Sequence, residues 1–525
     1  MSKGIQKLAG VADWVVAIVG SLIFIWLSWY ALRYTQYVEI GGAEIPVNTK
    51  DSMIANILFV VGAAAFLLGL FYLDKRISIK MQNVIVKLLL AVAMIWTAVG
   101  GFWWITVVKR QPEGDQAYIY GTASMFIEGN YGNLVPGGYC GMYPYQLGLI
   151  FLVELLFLIV GTYNYFACQV ICVLLAVGIV YLGYRIVWQI TEHRMMTAGY
   201  LVFSMGCLPL IFYTGWVYGD LPSTFFILLT ASCLLGYERT GYVRYLVGVI
   251  GAITMAIITR QNSLILLVAL CLAGGIYVLV KKDKKLLLAL LLSVICPMLL
   301  NGAILKMYEI RSGMEIAEGI PMYTHIAMGL QENEGVYGWD SSYSKAVYYG
   351  AECDSEVTAE ISKEDIGERI KFFIENPTYA GEFFKGKLLS QWNQPMYQAL
   401  YFSHKFWPGK EPELVPGSLI EKISGEYQVG IRAFCDRIQF VLYIGMLCYF
   451  LFGVRRNGAI LQHLLAIGML GGFLFSILYE AKARYILPYY LMMYPMAIAG
   501  YFFLFKRLKP WVDIGLTKMT KSKKA

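Results

Sequence analysis

Hydrophobic and polar positions along this chain fall into long apolar runs separated by short polar breaks. Thirteen runs stand at roughly 11–32, 52–73, 84–108, 145–162, 166–190, 197–215, 221–237, 242–258, 263–280, 286–305, 436–453, 458–478 and 485–505. Most approach the ~20 residues that a helix needs to cross about 30 Å of hydrocarbon. The short alternating segments of a membrane barrel are missing. The pattern predicts an all-α polytopic membrane protein with about 12–13 transmembrane helices. The first run, DWVVAIVGSLIFIWLSWYAL, follows Lys3 and Lys7. It is too long for a signal-peptide core and lacks a small-residue cleavage site, so it is expected to be a retained helix.

Composition agrees with this class: 58% of the 525 residues are hydrophobic, 15% are charged, and the mean hydropathy is +0.58. Ten cysteines are scattered, mostly inside apolar runs, without a CxxC pair or a Cys/His cluster. Neither a zinc site nor a disulfide framework is expected; buried Cys acting as a small hydrophobe is the simpler reading. The net charge of +8 tells little alone, and no nucleic-acid partner is expected.

The distribution of charge changes the picture. Thirteen full crossings from a cytoplasmic N-terminus would leave the basic tail KRLKPWVDIGLTKMTKSKKA outside, yet basic flanks tend to stay cytoplasmic. One run is therefore expected not to cross. If it is 145–162, every basic loop falls inside: DKRISIK, the stretch from Arg185 to Arg194, YERTGYVR, KKDKK, VRRNG and the tail. That run is short, starts at Pro144 and contains Glu154, as a re-entrant or interfacial helix would.

The segment 306–433 then lies outside as an extracytoplasmic mixed or α-helical domain. It holds 19 acidic and 12 basic residues, net −7, which leaves +15 for the rest of the chain. Within it, SKEDIGERIKFFIENPTYAGEFFKGKLLSQW reads as two consecutive helices. Ser362 with Asp365 resembles a capping box, and Asn376-Pro377 ends one helix and starts the next. The expected organisation is two extra N-terminal transmembrane helices (1–83), a transmembrane module (84–305) with an outer loop at 109–144, the outer domain (306–433), and C-terminal helices with a basic tail (434–525).

This topology gathers a particular polar set on the outer face. Asp115 follows the third run in EGDQAYIY, Asp220 opens a helix in VYGDLPSTFF, and Arg260 and Asn262 occupy the turn ITRQNS. Glu480, Lys482 and Arg484 lie in SILYEAKARYILPYY. Any one of these is equally compatible with a solvated helix end, and Arg484 with snorkelling or with pairing to Glu480 one turn earlier. Together they form a constellation of the sort that marks function near a membrane interior. Glycine-rich phosphate loops of the GxGxxG or GxxxxGK[ST] kind are missing, so a soluble nucleotide donor has no support. A lipid-linked phosphosugar fits better: its tail lies in the bilayer, Arg or Lys meets its phosphate, and a carboxylate takes the proton of an attacking hydroxyl.

These residues, in this order, resemble the GT-C superfamily of polyprenyl-phosphate-sugar-dependent glycosyltransferases, in particular the branch of protein O-mannosyltransferases and lipid A aminoarabinose transferases. EGDQAYIYGTASMFIEGNYGN matches the family's acidic first outer loop with its juxtamembrane helix. GMYPYQLGLIF takes the place of its proline motif, VYGDLPSTFF of its D-x-P-type pattern, and ARYILPYY of its R-Y-x-L-P stretch. The resemblance covers roughly residues 84–500 and implies a GT-C-like bundle, an isoprenoid phosphate donor, an outward-facing site and inversion at the anomeric carbon. It assigns Asp115 as catalytic base, Asp220 to the acceptor or a divalent cation, and Arg260, Lys482 and Arg484 to the donor phosphate. Tyr143, Glu480, Tyr485 and His325 would support the site; His325 and Trp392 would either cap the cavity or simply pack. Three features depart from the pattern. Gln116 stands where a second acid is common, Pro144 is a single proline preceded by Tyr143 rather than a basic residue, and two additional apolar runs come first.

The expectation is a multi-pass plasma-membrane glycosyltransferase with its site on the extracytoplasmic face. It would move a sugar from a polyprenyl-phosphate carrier to a glycan, lipid or protein acceptor, with membrane lipids as its surroundings and no certain cofactor beyond the possible divalent cation. The alternative is a lipid-linked sugar flippase or other polytopic transporter, which would show broken mid-membrane helices in matched halves. A non-catalytic scaffold would leave the placement of Asp115 and Asp220 unexplained.

Overall fold

The computed structural model describes residues 3–40, 44–109, 111–333, 335–404, 419–454 and 459–522. Helix α1 (Lys3–Ala31) leads into an antiparallel hairpin of β1 (Tyr34–Val38) and β2 (Pro46–Lys50), which pairs Tyr34 with Lys50. Serine caps start the next two helices, α2 (Met53–Leu73) and α3 (Ile79–Val108). The Ser52 and Ser78 hydroxyls accept from the N–H groups of Ala55 and Met81. Three short helices follow: α4 (Asp115–Ile127), α5 (Tyr139–Met142) and α6 (Leu147–Val160). The bundle continues with α7 (Tyr165–Thr191), α8 (Arg194–Met205), α9 (Leu208–Phe212), α10 (Asp220–Thr240), α11 (Val243–Thr259), α12 (Leu264–Lys281) and α13 (Lys284–Ser312).

Outside the bundle lie α14 (Met322–Gly329), a two-residue ladder of β3 (Glu332–Asn333) with β4 (Val336–Tyr337), and α15 (Tyr343–Gly350). Next come α16 (Ser355–Glu375), α17 (Pro377–Trp392), α18 (Ala399–His404) and α19 (Leu419–Ser424). Helices α20 (Gln428–Cys448), α21 (Leu464–Leu478) and α22 (Leu487–Ser522) complete the bundle. The protein is an all-α polytopic membrane protein: among the described residues, ten helices are long and apolar enough to cross a bilayer. The 17-residue α11 is a shorter apolar helix, and α8 and α9 form an apolar pair bent by 55°. The span ending at Pro510 is 94% buried, so α22 is the central post around which the other helices pack.

Helix α6 is tied at both ends and in its middle to one end of the bundle. Gln146, just ahead of it, donates to the Tyr218 hydroxyl at 2.5 Å, and the Tyr163 amide, just behind it, donates to Ser124 Oγ at 3.1 Å. Its middle residue Glu154 accepts from Tyr308 at 2.6 Å and pairs with Arg311 at 2.7 Å. Both ends and the middle therefore lie on one face, where α7 and α10 begin and α13 ends. The preceding helical segment meets α6 at 98°, the bend of a broken or re-entrant helix pair. Glu154 stays buried because a cation and a phenol meet it.

The opposite face collects basic loops. Asp74 stands 3.6 Å from His193, Glu192 pairs with Arg239, and Tyr237 donates to Asp283 at 2.6 Å, which joins the turns after α2, α7, α10 and α12. Residues 455–458 of the VRRNG loop and 523–525 of the tail lie outside the described residues. The ten cysteines are free thiols.

Two boundaries differ from those read in the sequence. Helix α13 runs on to Ser312, so the outer segment begins at Gly313 and not at 306. Helix α16 starts at Ser355, where Asp354 Oδ1 accepts from the amides of Glu356 and Val357. Ser362 sits inside that helix, its hydroxyl bound back to the Thr358 carbonyl. The capping-box pattern failed because Asp354, eight residues before the expected cap Ser362, makes the stronger cap. The Asn376-Pro377 break falls as expected, between α16 and α17.

The outer segment is pinned to the bundle beneath it. The Ala481 amide donates to the Gly338 carbonyl at 2.7 Å, and Gly329 lies so close to the Leu478–Tyr479 backbone that a Cβ would meet Leu478 O at 2.5 Å. Buried Lys387 of α17 reaches across and donates to the carbonyls of Gly329, at 2.5 Å, and Ile477, at 3.0 Å. These are orphan acceptors at the ends of α14 and α21. Burial pushes the Lys387 ammonium down to about 7 from an ordinary 10.5, with the Glu480 charge resisting. Between those values the unfolded chain holds a proton that the folded chain has released, so stability rises with pH through that window. Thermal melts of Lys387→Met in detergent should lack the part of that rise seen for the wild type between about pH 7.5 and pH 9.5. Parallel profiles would remove Lys387 as its source.

Candidate functional site

Lys109 closes α3 in a left-handed conformation (φ 46°), and Gly114 (φ 52°) turns the chain into α4. That turn makes Asp115 the first residue of a 13-residue helix, where the positive end of the helix dipole favours a carboxylate. The Asp115 side chain is 45% exposed and its Oδ2 lies 3.7 Å from Arg484 Nη2. Gln116 points the other way. It is buried, and its Oε1 accepts from the Tyr165 hydroxyl at 2.5 Å and the Val217 amide at 2.8 Å. The position where a second acid was anticipated is thus an anchor behind the helix, outside the cleft that Asp115 faces.

Arg484 is 4% exposed and boxed by aromatic rings: its guanidinium lies 4.8 Å from Tyr218, 5.1 Å from Trp216, 5.4 Å from Phe402 and 5.6 Å from Tyr485. Cation–π attraction and the Asp115 charge hold the cation there. Its nearest acid is Asp115, from a distant turn, and not Glu480 one turn earlier. Glu480 instead accepts from the Tyr485 hydroxyl at 3.2 Å and faces His325 Nδ1 at 3.7 Å. His325 stacks on Tyr479, and neither ring nitrogen makes a hydrogen bond among the described residues.

Lys482 lies at the cleft but is already engaged. Glu44, from the β1–β2 connection, stands 3.3 Å from its ammonium. The same Glu44 Oε1 accepts from Gln398 Nε2 at 2.7 Å, and Gln398 Oε1 accepts from the Arg484 amide at 3.2 Å. Burial pulls the Lys482 ammonium down, but the carboxylates of Glu44 and Glu480 outweigh it and hold the group above its ordinary value.

Asp220 opens α10 and is fully buried; both carboxylate oxygens are enclosed, and Arg260, at the end of α11, is in direct contact with it. Asp220 does not line the cleft around Asp115 and Arg484, and its contact with Arg260 fixes that guanidinium. A lone buried cation would be too costly without it. Trp392 is also core: it is 1% exposed, its indole donates to Ser476 Oγ at 3.2 Å, and it stacks on Tyr489.

Asp115, Tyr143, His325, Glu480, Lys482, Arg484 and Tyr485 line one cleft with about 640 Å³ of free space. A second chamber of about 520 Å³, reaching Arg260 and Asn262, shares its walls at Gln146, Tyr218, Arg484 and Tyr485. Tyr145 and Tyr479 border both chambers and also a groove of about 1030 Å³ lined by Leu264, Ile265, Met322 and Phe475. A polar cleft at the end of the bundle thus adjoins an apolar groove between α12, α14 and α21. Among the described residues, no three His, Cys, Asp or Glu side chains stand together to hold a metal ion. With Asp220 closed off by Arg260, the donor set for a divalent cation does not form, and no step is routed through one.

The tertiary structure adds residues that the sequence did not single out. Tyr139, Tyr145, Gln146 and Tyr218 enter the cleft from the turns that carry the motifs, while Asp340 and Lys345 come from the outer segment. Adjacency to GMYPYQ and VYGD was a usable signal for the tyrosines. Nothing in the sequence marked Glu44 or Gln398. No protein-family model and no curated protein matches this chain.

Proposed function

We propose that the protein is an integral membrane glycosyltransferase that moves a sugar from a polyprenyl-phosphate carrier to an acceptor hydroxyl on the outer side of the membrane. The observation that carries this reading is the pairing of a half-exposed carboxylate, Asp115, with a buried guanidinium, Arg484, in a cleft that adjoins an apolar groove. The groove suits an isoprenoid tail and the cleft suits a sugar among tyrosine faces. Asp115 takes the proton as the acceptor oxygen attacks C1 of the sugar. The bond from C1 to the phosphate oxygen breaks, and the polyprenyl phosphate leaves with one more negative charge. Arg484 meets that charge, with Arg260 below it, in a site that holds them fixed before the reaction. Glu480, Tyr485 and His325 border the acceptor side.

Because Glu44 neutralises Lys482, the donor phosphate rests on Arg484 in this reading. In binding assays with a labelled donor, Arg484→Lys should weaken affinity more than about tenfold, since a lysine cannot present the planar fork that grips phosphate. Lys482→Met should change it less than about threefold. The reverse order would move the phosphate to Lys482. The decisive experiment supplies purified protein in nanodiscs with polyprenyl-phosphate sugars carrying a labelled sugar and measures polyprenyl phosphate release with candidate acceptors. Tight donor binding without release under any acceptor would favour the flippase alternative.

A further inference from the structure

On the face opposite the cleft, α7, α10 and α11 leave a groove with about 650 Å³ of free space. Helices α7 and α10 start at the cleft, with Tyr165 and Asp220, so the groove lies where they end at Thr191 and Thr240 and where α11 begins at Val243. One wall is aromatic: Tyr181, Tyr184 and Trp188 follow the helical period along α7, and Tyr245 of α11 faces them. The floor is Gly236. A Cβ there would stand 2.8 Å from the Tyr245 ring, so only a residue without a side chain lets α10 and α11 close and still leaves the floor open.

Two guanidiniums border this space. Arg185 makes no hydrogen bond or ion pair among the described residues, although it is half-buried between rings. Arg239 is tied to Glu192 at 2.5 Å and to the Gln189 carbonyl at 3.3 Å. Glu192 is the acid at this rim, and it is 66% exposed. Glu238, next in sequence to Arg239, faces Gln462 and Lys281 instead. The groove therefore holds a surplus of positive charge in a planar, bidentate form suited to phosphate. Tyr and Trp at this depth fit the headgroup level of a membrane. Tyr181 lies ten residues before the end of α7, about 15 Å along its axis, so the groove reaches below that level into the acyl region. A small free anion would fill only its mouth.

We infer that this groove binds one phospholipid with an anionic headgroup, its phosphate on Arg185 and Arg239 and its upper chains against the α7 aromatics. The inference is independent of the chemistry proposed for the cleft.

Native mass spectrometry of the full chain, released from detergent carrying either phosphatidylglycerol or phosphatidylcholine, tests it. The wild type should retain one phosphatidylglycerol at an occupancy at least about fivefold above phosphatidylcholine. Arg185→Gln should bring that ratio to about one without moving the melting midpoint, because Arg185 supports no neighbour. Lys284→Gln, at the exposed start of α13 on the same face and outside the groove, should leave the ratio unchanged. Equal retention of the two lipids by the wild type would overturn the inference, as would an Arg185→Gln ratio equal to wild type or an equal loss in Lys284→Gln. Displacement of the retained lipid by millimolar inorganic phosphate would also overturn it, by reducing the site to an anion site without lipid specificity.

Discussion

Asp115→Asn is expected to slow release of polyprenyl phosphate by about 100- to 10,000-fold, the range for losing a positioned general base. Donor affinity should stay within about threefold of wild type, or tighten, because the substitution keeps the shape of the side chain while removing the negative charge beside Arg484. The two halves separate base from binding residue. Asp115 is half-exposed at a helix start, and although the change removes the carboxylate nearest buried Arg484, the Tyr218, Trp216, Phe402 and Tyr485 rings still enclose that guanidinium, so the fold should hold. Single-turnover release and equilibrium binding on the same nanodisc preparation provide the check. Unchanged release would remove Asp115 from the chemistry, and a matching loss of binding would assign it to donor recognition.

The second large effect concerns stability. Asp220→Ala should lower the unfolding midpoint sharply, by the equivalent of about 3–5 kcal/mol, because Arg260 is left buried without its counter-charge. The double variant Asp220→Leu with Arg260→Met should recover most of that loss, since a well-packed apolar pair of similar volume replaces a desolvated ion pair at little net cost. Thermal unfolding in one detergent, read for both singles and the double, completes the cycle. A wild-type midpoint in Asp220→Ala together with reduced activity would return Asp220 to the acceptor side. Destabilisation relieved in the double variant would fix it as the residue that positions Arg260.

How the candidate site was legible depends on what each residue does. Asp115 and Arg484 stood out because a charge at the edge of an apolar run is costly, and their partnership puts both in the cleft. Asp220 and Arg260 stood out for the same reason, yet they satisfy one another below it. Periodicity and motif order do not distinguish these outcomes: both pairs combine an acid at a helix start with a distant arginine. Trp392 and His325 show the same limit. Neighbouring patterns in the outer segment gave no hint that one would join the core and the other the cleft.

The sequence by itself determined the class of the protein, an all-α polytopic membrane protein. Apolar runs of bilayer length leave the backbone no way to satisfy its polar groups except helices. The basic loops after α2, α7, α10 and α12 meet on one face, and the short run with Glu154 stays on the other. Only the tertiary structure decided which charges neutralise one another and which remain open to a ligand. Glu44 is separated from Lys482 by most of the chain, and Gln398 links it to Arg484 from a third segment. Such contacts depend on how the hairpin, the outer segment and α22 pack together. Hydrophobic period records which face of a helix is buried, but not which distant side chain will meet it there.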